Sequence, residues 1–113
     1  KSNIEFGYHK SFTYINTMFM TERFSYSELI AKDPETQDKL YNLTLHKIKE
    51  SVKRKSKKIK LFELKDDIGD NRNYMVELKY NKYKSNLNTA LEYFKTVEDY
   101  EKCQECKTLM DEL

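Results

Sequence analysis

The chain has 113 residues, 38% hydrophobic, 35% charged and 13% aromatic, and its 21 Lys and Arg nearly balance 19 Asp and Glu for a formal net charge of +2. That balance, with such aromatic content, argues against a fully disordered chain, a collagen-like or low-complexity polymer is excluded, and the length suits one domain over residues 1–113. With 2 Gly and 1 Pro there is too little turn chemistry for a many-stranded sandwich or barrel, and the longest apolar stretches, such as Met18-Phe19-Met20, fall far short of a membrane span.

From Tyr8 to Met20, the residues Phe12, Ile15 and Phe19, extended by Tyr8, recur at spacings of three and four, as on one face of a helix. Thr13, Tyr14, Ile15 and Thr17 would suit a strand as well; the expectation taken is helix. Ser25-Tyr26-Ser27-Glu28 has the spacing of a capping box, with Phe24 and Leu29 as a hydrophobic staple, and predicts a short helix from Tyr26 to Lys32. Asp33-Pro34-Glu35 starts the next one, because Asp caps, Pro needs no N–H at the first position, and an acid faces the positive end of the dipole. Tyr41, Leu45, Ile48 and Val52, widened by Leu40 and Leu43, form its buried stripe, and the helix runs to about Lys55.

Ile59 and Leu61 on one face, with Phe62 and Leu64 on the other, read as a strand. Asp66 to Asn73 is a polar loop and Tyr74 to Tyr80 a second strand, so the two form a β-hairpin. From Ser85 the chain is helical again. Leu87, Ala90, Leu91, Phe94 and Val97 line one helix; after a break at Glu98-Asp99, Tyr100, Cys103, Cys106, Leu109, Met110 and Leu113 line another. The expected fold is α+β, mostly α: a short helix, a long helix and a β-hairpin within residues 8–80, then a C-terminal αα-hairpin over residues 85–113.

Charge is segregated along the chain. Between Lys47 and Lys60 eight basic residues (Lys47, Lys49, Lys53, Arg54, Lys55, Lys57, Lys58, Lys60) stand against one acid, Glu50, whereas from Glu92 onward seven acids stand against three Lys. A basic run leading from a helix end into a strand is the electrostatic footprint of a phosphate-binding face, with Tyr80 or Tyr83 available to stack. The alternatives are a solvated surface, or a run that pairs with the acidic C-terminal hairpin within the molecule.

Cys103-x-x-Cys106 lies on an apolar helical stripe. Zinc needs four ligands and only His9 and His46 remain, so both thiols read as buried small hydrophobes and no metal or other cofactor is expected. Two thiols in a Lys-rich chain point to a reducing, cytoplasmic setting. No Ser/His/Asp or Cys/His grouping and no phosphate-cradling Gly loop is present, which argues against an enzyme. Asp66, Asp67 and Asp70 lack the spacing of an EF-hand.

Two resemblances follow. The element order over residues 8 to 80 resembles a winged helix-turn-helix, which implies that the helix from Asp33 enters a major groove with the Asp66–Asn73 loop as wing. The basic residues, however, lie at that helix's end, and the loop carries three Asp against Arg72. Leu87, Ala90-Leu91, Phe94, then Tyr100-Glu101, Cys103, Lys107 and Met110 resemble the helical hairpin of nucleotide-excision nuclease subunits. Thr108 and Gln104 replace that family's usual acid and second Ala. The hairpin implies protein–protein association without catalysis. The function expected from the sequence is non-enzymatic DNA or RNA binding through residues 47–60. Its rival is a protein-interaction module or inhibitor (a phage-encoded one among them), docking through Tyr100, Glu101 and Glu105.

Overall fold

A computed structural model describes the backbone of residues 7–10 and residues 22–113 in full. In order they form β1 (Gly7–Lys10), β2 (Arg23–Ser25), α1 (Tyr26–Ala31), α2 (Pro34–Arg54), β3 (Lys58–Lys65), β4 (Asn73–Lys79), a 3-10 turn (Tyr80–Lys82), α3 (Tyr83–Thr96) and α4 (Tyr100–Glu112). The α+β class and the C-terminal helical hairpin are as the sequence predicts.

The helix starts form for the anticipated reasons. Ser25 Oγ accepts from the Glu28 amide at 3.1 Å while the Glu28 carboxylate accepts from the Ser25 amide at 3.2 Å, a complete capping box on α1. Asp33 caps α2 by accepting from the Thr36 amide at 2.9 Å, with Pro34 at the first position. Asp99 caps α4 through the Lys102 amide at 3.2 Å. Lys55 and Glu98 take left-handed conformations (φ 56 and 59) where α2 and α3 give way to the next element.

The β-hairpin is the centre of a larger sheet of order β1-β4-β3-β2, in which β1 and β3 run antiparallel to β4 and β2 runs parallel to β3. Tyr8 to Lys10 are therefore strand, not helix: they pair with Val76 to Tyr74 because the outer edge of β4 offers unpaired backbone groups that a strand can satisfy. Phe12, Ile15 and Phe19 lie outside the described residues.

A second correction concerns β3. The register steps from Lys60↔Glu77 to Phe62↔Val76, so Leu61 is the extra residue of a β-bulge. Directly paired residues share a face, and the slip puts Phe62 and Leu64 on the same side as Ile59 instead of opposite it. All of them, with Leu61, Val76 and Leu78, join one core cluster with Leu45 and Ile48 of α2, Leu87, Ala90, Leu91 and Phe94 of α3, and Cys103, Cys106 and Leu109 of α4. Val97 and Tyr100 do not join it. They are 49% and 68% exposed, because they flank Glu98 at the tip of the hairpin, past the last turn that packs on the core.

The helices run back and forth. Ser51 near the end of α2 meets Tyr83 at the start of α3, whereas Tyr41 stacks on Tyr93 with centroids 4.8 Å apart and Tyr93 donates to Asp38 at 2.8 Å. Hence α3 is antiparallel to α2, and α4, returning along α3, runs in the direction of α2. Among the described residues no helix is long and apolar enough to cross a membrane.

Candidate functional site

The site grows out of the way α2 stops. Lys55 donates to the Val52 carbonyl at 3.1 Å and Ser56 to the Ser51 carbonyl at 2.9 Å, a left-handed cap that turns the chain sharply toward β3. Ser51 and Tyr83 are fully buried behind this turn with their hydroxyls 2.6 Å apart, and Tyr83 also donates to the Ser56 carbonyl at 3.3 Å. The Tyr80 amide donates to the Lys57 carbonyl at 2.8 Å, and Lys58 lies directly opposite Lys79. The end of α2, the start of β3, the end of β4 and the start of α3 are thus fastened together at one end of the molecule.

That end gathers exposed cations from separate stretches of chain: Arg54, Lys55, Lys57 and Lys58 from one, Lys79 and Lys84 from another. Lys57 Nζ sits 4.2 Å from the centroid of the Tyr80 ring, which is 38% exposed. Tyr83, in contrast, is fully buried and unavailable for stacking. The Tyr83 hydroxyl anchors the turn instead.

The eight predicted cations do not form one face. On a helix of 3.6 residues per turn, Lys47 and Arg54 share one flank of α2 while Lys49 and Lys53 share the other. The second flank faces α4, where Lys49 Nζ lies 3.3 Å from Glu105; Lys53 stands 3.9 Å from Glu50 of its own helix. In β3, Lys58 and Lys60 alternate with Ile59 and so project from the sheet face opposite the helices, Lys60 opposite Glu77 and Lys58 within 3.7 Å of the Glu77 carboxylate. The expected basic run is therefore partitioned, and part of it meets the acidic hairpin within the molecule.

The sheet face opposite the helices carries two buried carboxylates, Glu63 and Glu77, at 3% and 6% exposure. Arg23 approaches Glu63 at 2.8 Å and Lys58 approaches Glu77, so each buried charge has a cation, as burial requires.

The loop between β3 and β4 spends its acids internally. Asp67 accepts from the Ser27 amide at 3.1 Å and the Ser27 hydroxyl at 2.5 Å, bonds that hold its carboxyl below the usual range and dock the loop on the first turn of α1. Asp70 accepts from the Tyr74 hydroxyl, which lowers its pKa likewise, and from the Arg72 amide at 3.0 Å. Both Cys103 and Cys106 are buried free thiols, and burial pushes Cys106 up to about 11, the opposite of what a nucleophilic or redox thiol needs. No group of three or more His, Cys, Asp or Glu placed to hold a metal occurs among the described residues.

Of the residues assigned to protein docking, Tyr100 stands out at the hairpin tip, while Glu101 and Glu105 line a groove between α2 and α4. Lys79 and Lys84 were missed by the sequence reading; strand register supplies Lys79, since pairing β3 with β4 sets it against Lys58. Comparison with protein-family models, with curated proteins and with solved structures gave no match.

Proposed function

We propose that this protein binds nucleic acid without catalysis, through the phosphate backbone, at the end where α2 stops and β3 begins. The observation that carries the reading is that Arg54, Lys55 and Lys57 follow one another through this turn, with Lys79 at the same end beside Lys58 on the outer sheet face, while the neighbouring acids Glu50 and Glu77 each stand near a lysine, Lys53 and Lys58. Lys47, Lys49, Lys53, Lys58 and Lys60 lie at the margin or in ion pairs. Binding of this kind reads charge and shape, not sequence. From the winged helix-turn-helix resemblance the reading keeps only the element order: α2 meets the backbone with its last turn, without lying in a groove.

Four phosphate contacts imply a salt slope of about −3.6 for duplex DNA, or roughly 150-fold weaker binding between 50 and 200 mM salt. Arg54→Glu/Lys55→Glu/Lys57→Glu should abolish retention on DNA at low salt, whereas Lys49→Glu, at a residue bridged to Glu105, should leave it nearly intact. Absence of retention by the wild-type chain, or equal loss in both variants, would end the proposal.

A second reading, docking of a partner protein at the hairpin tip, is favoured by the exposure of Tyr100 and Val97 beside Glu98 and Glu101. Tyr100→Ala with the fold intact should then release a co-purified partner; an undiminished complex counts against it.

A further inference from the structure

Between α2 and α4 runs a groove of about 520 Å³ with Val52 and Leu109 in its lining. Its two rims have opposite sign: Lys49 and Lys53 on α2, Glu105 and Glu112 on α4. Because Lys49 and Glu105 lie at one level across the groove, a two-fold axis lying along it sets each α2 over the α4 of a second copy, lysines facing glutamates on both sides. The other in-plane axis, perpendicular to the helices, lays α2 on α2 and opposes like charges. Patches that carry both signs side by side in this way are self-complementary, as a two-fold interface demands.

We infer that this groove is the contact surface of a homodimer in which Lys49 and Lys53 of each copy meet Glu105 and Glu112 of the other. The inference is independent of the phosphate reading, since Arg54, Lys55 and Lys57 are not in the groove lining. It involves α2 and differs from docking of one helical hairpin on another. Re-pairing Lys49 from its own Glu105 to that of the second copy costs little, because both are partly exposed at 45% and 39% and such pairs are weak. What association adds is removal of the groove's apolar lining from water. Two helices about 9 Å apart and about 20 Å long present on the order of 400 Å² per copy, about half a standard interface, so the dimer is weak and salt-sensitive.

Sedimentation equilibrium of the full chain, from about 10 µM to about 1 mM, tests this at about 50 mM and about 500 mM salt. The average mass should climb from one protomer toward two at low salt and stay near one at high salt. Lys49→Glu/Lys53→Glu and Glu105→Lys/Glu112→Lys should each be monomeric, and an equimolar mixture of the two should restore the dimer, with circular dichroism showing both folded. A wild-type chain that stays monomeric throughout, a dimer indifferent to either double variant, or a mixture that does not associate would overturn the inference. If either variant fails to fold, amide chemical-shift changes on dilution decide it: confined to α2 and α4 they support the interface, elsewhere they refute it.

Discussion

Replacing Tyr83 by Phe removes one oxygen from the interior and leaves the ring in place. That oxygen is 2.6 Å from Ser51 Oγ and 3.3 Å from the Ser56 carbonyl, and Ser51 Oγ reaches the same carbonyl at 3.2 Å. After the substitution Ser51 keeps its bond to Ser56, so the loss is about one net buried hydrogen bond, roughly 1–1.5 kcal/mol. Ser51→Ala should cost about the same for the converse reason. The two hydroxyl protons make two bonds at a time, so each single variant leaves the other hydroxyl on the Ser56 carbonyl, and the double variant, which removes both donors, should cost about the sum of the singles, roughly 2–3 kcal/mol. Urea unfolding of the four proteins measures this as midpoint shifts of about 0.5–1 M for each single variant, with unchanged slope. A double variant no less stable than either single, or a neutral Tyr83→Phe, would refute the idea that this network fastens the turn. The Tyr80–Lys57 backbone bond and the β3–β4 ladder also hold the turn, so folded Tyr83→Phe should still be retained on DNA.

Three further outcomes follow from local conformation and burial. Glu98 is exposed and held at φ 59, where glycine is unstrained, so Glu98→Gly should raise stability by about 0.5–1 kcal/mol in thermal unfolding while a glycine at exposed Asn88, inside α3, should lower it. Burial raises Cys106 to about 11, and burial followed by the Asp38 bond raises Tyr93 to about 12; both folded pKa values exceed their ordinary ones, so these groups support the fold at neutral pH and withdraw that support as pH rises from about 9 to 11 and from about 10 to 12 respectively. Urea midpoints should decline across that range, with the upper part of the decline missing in Tyr93→Phe, and a flat profile would contradict the assignment. Thiol reagents at neutral pH should leave Cys103 and Cys106 unmodified until the chain is unfolded, and rapid labelling of the native protein would contradict their burial.

Local signals carried most of the fold. Caps are short-range chemistry, so Ser25, Asp33 and Asp99 marked their helices correctly, and α2 ends at Arg54, one residue from the expected stop near Lys55. What failed depended on distant partners. The fate of Tyr8 to Lys10 was decided by the edge of β4 some 65 residues away, and propensity cannot weigh a ladder it cannot see. The β-bulge at Leu61 failed for a different reason: a single inserted residue reverses the face of everything after it, and Leu61-Phe62 side by side was the one hint of that.

The site was legible as composition and illegible as placement. Eight cations in fourteen positions were plain, but helical phase divides those of α2 between two flanks, and strand alternation throws Lys58 and Lys60 onto the face opposite the helices. Arg54, Lys55 and Lys57 share an end with Lys79 because an αL cap at Lys55 folds the chain back within a few residues, and because hairpin pairing returns β4 to the place where β3 began. A basic segment becomes a basic surface only where the chain reverses; at such a reversal, charges adjacent in sequence cannot be separated by helix or strand periodicity. If phosphate is bound, it is therefore the turn residues Lys55 and Lys57, rather than the helical Lys49 and Lys53, whose reversal of charge should dominate the loss.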